Sequence, residues 1–136
     1  MNHKLEFEKL VSYDSGRSGI SVNVELRLDK NKTTFEAKID TGSTYCIFER
    51  IHGERLGIEI EKGLREKIIT ASGSFWAFAY QLTLAVEGYE FDSTVYFAQD
   101  ESFHVNVLGR HGWLDRVIIG INDYDGKLYL SRYENE

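Results

Sequence analysis

The sequence predicts a mainly β protein, a small closed antiparallel β barrel carrying one or two short helices. Three observations predict it. Apolar and polar residues alternate over many short runs, as strands with one buried face require. Helix-forming stretches are few and brief. The 136 residues contain no proline, so glycine alone punctuates the chain. The length suits one domain over residues 1–136, enough to bury a core and too short for two lobes.

Taken in order, residues 1–17 show no clear pattern and are read as an N-terminal arm or extension, either a removable pro-segment or a dimer arm. The first strand is ISVNVELRL (20–28), where Ile20, Val22, Val24, Leu26 and Leu28 alternate with polar residues. TTFEAKI (33–39), REKIITA (65–71), FWAFAYQLTLAV (75–86), YEFDSTVYFA (89–98), RVIIGI (116–121) and KLYLS (127–131) follow, rich in aromatic and β-branched residues. Glu87-Gly88 and Asp125-Gly126 supply hairpin turns, the latter a favoured type I′ pair. ERIHGERLG (49–57) predicts two helical turns ending at Gly57, and RHGWLDR (110–116) predicts one or two more.

Composition narrows the function. A net charge of -6 without a Lys/Arg stripe argues against nucleic acid, because nothing would displace counterions from a phosphate backbone. No apolar stretch approaches the roughly 20 residues needed to span a bilayer, so membrane insertion is not expected. The single cysteine, Cys46, cannot form a disulfide within the chain, and the N-terminus lacks the apolar core of a signal peptide. The expected compartment is the cytoplasm. His3, His52, His104 and His111 have no metal-ligand spacing and are assigned to surface or loops, so no metal is expected. INDYDGKLYLSR has an arginine where a calcium loop needs its last carboxylate, and is read as a hairpin. Cys46 lacks a paired histidine and reads as a small buried thiol.

One stretch stands apart. In FEAKIDTGSTYCIF (35–48), an apolar strand ends in Asp40-Thr41-Gly42-Ser43 before a second apolar run begins. Gly42 lets the backbone turn sharply, and the hydroxyls of Thr41 and Ser43 can fix the loop by hydrogen bonds. Alone, this is also an ordinary Asp/Gly turn. Downstream, NVLGRHGWLDR carries Val107, Leu108, Gly109 and Arg110 ahead of a short helical segment.

With both stretches in order, the chain resembles the retropepsins, the single-lobed aspartic proteases of retroviruses and their bacterial relatives, over roughly residues 18–131. That resemblance implies a retropepsin-like acid protease fold in which the two stretches cross, Val107 and Leu108 behind the Asp40 loop and Arg110 bracing the fold. Ile118-Ile119-Gly120 is a rival second match but is not followed by arginine. The resemblance also implies a flap, and KIITASGSFWAFAY offers one, with Ala71, Ser72, Gly73 and Ser74 at its tip and Trp76 and Phe78 as pocket walls. Thr44 and Tyr45 depart from the retroviral pattern, which has acidic residues there, so Arg110 loses its usual partner.

This chemistry needs two carboxylates around one water, and the chain has one such motif. The expected enzyme is therefore a cofactor-free homodimeric endopeptidase, with one catalytic Asp40 from each subunit acting on a peptide or protein substrate under the flap. The same resemblance implies that the Thr41 hydroxyl reaches across the twofold axis and helps lock the two loops. A Ser43 hydroxyl donating toward the pair would favour its ionised form and lower the pH optimum. The rival from another class is a peptide-binding or regulatory module on the same fold that cleaves little or nothing.

Overall fold

A computed structural model describes residues 1–133. The alternating runs become strands at nearly the expected bounds. They are β1 (Lys9–Ser12), β2 (Ser21–Leu28), β3 (Asn31–Ile39), β4 (Ile47–Phe48), β5 (Leu64–Thr70), β6 (Gly73–Val86), β7 (Tyr89–Ala98), β8 (Val107–Leu108), β9 (Val117–Asn122) and β10 (Lys127–Arg132). The protein is mainly β. Alternation works as anticipated in β2, where Val22, Val24 and Leu26 are at most 3% exposed and their neighbours face outward. Among the described residues, no helix is long and apolar enough to cross a membrane.

Helix α1 (Arg50–Arg55) stops where Gly57 takes a φ of +82°. The second helix shrinks to a single 3-10 turn, Leu114–Arg116. Its start is held down: Leu114 N–H donates to Gly109 O and Asp115 N–H to Arg110 O, leaving few residues before β9 begins. Glu87 and Gly88 both take positive φ, as a type I′ turn requires. Asp125-Gly126 does not form that pair. Only Gly126 is left-handed, in a loop where Asp125 N–H donates to Asn122 Oδ1, and a side chain on Gly126 would strike Tyr13 O.

Seven strands pair in the order β2-β3-β8-β4-β7-β6-β5, and β2 also pairs with β6, so the run of pairings returns to β2. The antiparallel expectation needs correction. β3–β8 and β4–β7 are parallel, because both short strands arrive by long loops rather than by hairpins. The other strands form a three-stranded sheet, β1-β10-β9, so part of the segment read as an arm is a strand paired with β10.

The main core gathers around Trp113, Phe48, Phe97, Leu26, Leu84 and Leu108, all fully buried. A second, smaller cluster joins Ile47, Ile68, Ala77 and Val107, with Tyr45, Phe75, Tyr96 and Phe103 packed on it. This second cluster lies where β5 and β6 leave the body of the fold. β6 pairs with β7 only as far as Ala77↔Ala98, whereas its pairing with β5 runs on to Thr70↔Gly73. The end of the β5–β6 hairpin is therefore a two-stranded arm projecting past the sheet.

Candidate active site

β3 cannot continue straight, because β8 lies beside its end in parallel register, Lys38 on Val107 and Ile39 on Leu108. Asp40 N–H adds one more rung, donating to Leu108 O at 3.0 Å. The loop then closes on its own aspartate. Gly42 N–H donates to Asp40 Oδ1 at 2.9 Å and Ser43 N–H to Asp40 O at 3.1 Å. One carboxylate oxygen is thereby oriented, while the side chain remains exposed.

The returning segment passes extremely close. A Cβ on Gly109 would lie 2.2 Å from Tyr45 O and 2.8 Å from Ser43 O. Only glycine permits this crossing. Arg110 N–H to Ser43 O (2.9 Å), His111 N–H to Thr44 O (2.8 Å) and Gly109 N–H to Cys46 Sγ (3.4 Å) strap the two loops together. Val107 and Leu108 stand behind the Asp40 loop. Ile118, Ile119 and Gly120 lie instead in β9, paired with β10.

A cleft of about 910 Å³ opens between this loop and the projecting arm. Asp40, Gly42 and Ser43 line one side, and residues 71–74 line the other. The tip turn is tighter than the expected four residues: Gly73 and Ser74 already pair with Thr70 and Ile69, leaving Ala71 and Ser72 as the loop. Thr70 Oγ1 donates to Gly73 O at 3.0 Å, closing the turn. The cleft's apolar wall comes from the second cluster, with the Phe75 and Phe103 rings 4.6 Å apart and Tyr45 packed 4.6 Å from Tyr96.

The Aspartyl protease family model matches residues 22–112, two thirds of the chain, spanning both Asp40 and Gly109. The chain belongs to the aspartyl protease family. No match to a curated protein was found. The matched span includes the hairpin arm and ends before β9 and β10.

Several expectations change within this family frame. Ser43 Oγ donates to Tyr45 O at 2.7 Å, so its proton braces the loop and is not directed at the carboxylate. The basis for a lowered pH optimum is therefore removed. Arg110 braces the crossing through its backbone N–H, while its exposed side chain has no hydrogen bond or ion pair among the described residues. Trp76 and Phe78 are not cleft walls. They occupy the other face of β6: Phe78 enters the main core, and Trp76 turns outward beneath the Arg65 guanidinium, 4.1 Å from its ring. Phe75 and Ala77 share the cleft-side face, a parity that alternation alone could have suggested once one face was anchored.

Cys46 is fully buried, and burial pushes its thiol up to about 12, which suits a packed residue and not a nucleophile. His52 departs from the surface assignment. It is 6% exposed, stacked 3.8 Å from Phe35, and both ring nitrogens lack a hydrogen bond. Burial holds its imidazole below the ordinary value despite Glu49 Oε1 at 3.6 Å. Glu49 in turn binds the cleft loop: its N–H donates to Asn106 Oδ1 at 2.8 Å, and its carboxylate accepts from Asn106 Nδ2 at 2.7 Å. Sequence reasoning missed Phe75, Phe103 and this Glu49–Asn106 clasp, since each depends on contacts distant along the chain.

Proposed function

We propose that the chain is an aspartic endopeptidase that works as a homodimer, with Asp40 of each copy supplying one carboxylate. One observation carries this reading. Asp40 stands at the edge of a large cleft, oriented by its own loop, with no ion pair among the described residues. A carboxylate this free of partners inside the fold is suited to meet another across a twofold axis. The ring of strand pairings is read as the small barrel of the retropepsin-like fold.

In the dimer, the two Asp40 carboxyls share one proton, because like charges about 3 Å apart cannot both ionise readily. The ionised member takes a proton from water as it attacks the scissile carbonyl. The protonated member donates to the carbonyl oxygen. The β5–β6 arm acts as the flap, excluding water and strengthening these electrostatics. Its two-stranded construction supports motion, since a hairpin without further strand partners is marginally stable. Thr41 reaches across the axis and helps lock the paired loops. No cofactor enters the chemistry, and activity follows a bell-shaped pH profile.

The experiment is a mixing titration. Wild-type chain is diluted through its dimerisation range while hydrolysis of a peptide library is followed, and the rate per chain should fall as dimers dissociate. Adding excess Asp40→Asn chain should suppress the wild type by capturing it in dead heterodimers. Hydrolysis strictly proportional to a stable monomer refutes the shared site. Tight peptide binding without turnover at roughly pH 3 to 7 favours the non-cleaving module.

A further inference from the structure

The cleft contains a second carboxylate besides Asp40. Glu66 sits in β5 opposite Ala77, half-buried, on the face that carries Ile68 toward the second apolar cluster. It lines the cleft and makes no hydrogen bond or ion pair with any described residue. Its proximity is registered by the Tyr96 phenol, which is pushed up by burial, then by Tyr45, then by the Glu66 charge.

The local sequence, Arg65-Glu66-Lys67, looks self-neutralising, but the strand prevents it. Successive side chains point to opposite faces, so neither cation pairs with Glu66, and Lys67 lines the cleft beside it without bonding to it. They lie over the outward-facing Trp76, Arg65 at 4.1 Å and Lys67 at 6.0 Å from its centroid. Leaving a half-buried carboxylate unpaired is costly, and a site that tolerates it gains when a cation arrives. The walls beside it are aromatic, and an aromatic face attracts a cation in addition.

We infer that Glu66 selects substrate, taking a lysine or arginine side chain of the bound peptide into the subsite between the hairpin base and Tyr96. This rests on the proposed peptidase reading for its substrate and extends it to a specificity. The stem of such a side chain would lie along the apolar floor while its charge meets Glu66. In a twofold dimer, the same subsite recurs on the other side of the scissile bond.

The test uses one peptide scaffold carrying lysine, norleucine or glutamate at each position in turn, assayed with the full chain. Wild type should prefer lysine to norleucine at one position on each side of the scissile bond by about tenfold in kcat/KM, the size of one charge-assisted hydrogen bond. Glu66→Gln should erase that ratio, and Glu66→Lys should shift preference to glutamate. Arg65→Gln, on the opposite face, should leave the ratio unchanged. A lysine preference that survives Glu66→Gln, or that Arg65→Gln changes equally, overturns the inference. A parallel calorimetric measurement compares binding of the lysine and norleucine peptides to Asp40→Asn chains with and without Glu66→Gln. Lysine-selective binding lost with Glu66, together with no turnover of any peptide by the wild-type chain, sustains the inference while sinking the peptidase reading. Wild-type cleavage that is indifferent to lysine does the reverse.

Discussion

Replacing Gly109 by alanine tests the crossing on which the site is built. The added methyl would start 2.2 Å from Tyr45 O, and ordinary contact begins at 3.4 Å, so the strands must part by about 1.2 Å. The obstacles are backbone atoms of residues 43 and 45, which cannot rotate away. Separation would break the Arg110–Ser43 and His111–Thr44 hydrogen bonds, at about 1 kcal/mol each. Forced packing adds roughly 1–3 kcal/mol. The expected loss is about 3–5 kcal/mol, a large share of an ordinary domain's stability of about 5–15 kcal/mol. Hydrolysis should fall further, by about a hundredfold in the chains that remain folded, since shifts of about 1 Å near reacting groups cost that much. Denaturant unfolding followed by circular dichroism reads the first effect and peptide turnover the second. Gly120→Ala is the comparison. There the methyl meets the Phe7 ring at 2.9 Å, a side chain able to move, and the cost should stay within about 1–2 kcal/mol. A Gly109→Ala protein with wild-type midpoint and turnover would refute the crossing argument.

Two further expectations concern buried groups. Burial holds the His52 imidazole below the ordinary histidine value of about 6.5, so the stability of its neutral form is fully present above about pH 6.5 and lost as pH falls toward the depressed value. His52→Phe keeps the ring stacked on Phe35 and removes two unpartnered nitrogens. It should hold or raise the melting temperature at pH 7 and flatten its decline below pH 6.5, and an unchanged slope in a pH series of thermal melts would count against this. Cys46, with its thiol pushed up to about 12 by burial, should resist a thiol reagent in the native protein at pH 8 and react fully in denaturant, read by intact mass. Rapid native labelling would contradict the packing at Gly109.

Much of this protein is written locally. Alternation marked β2, β6 and β7 nearly to the residue, because strand periodicity follows from the pleat and needs no partner to be seen. Asp40-Thr41-Gly42 and Val107-Leu108-Gly109 marked the candidate site through a family resemblance, and the structure brings the two stretches together. Tertiary structure decided what the pattern leaves degenerate. It chose which parity of β6 faces the cleft, putting Phe75 there and sending Phe78 into the core. It set β3 parallel to β8, spent the Ser43 hydroxyl on Tyr45 O, and kept Arg65 and Lys67 from pairing with Glu66. Each of those outcomes depends on which distant segment arrives alongside. A strand's two faces are equivalent until another part of the chain buries one of them.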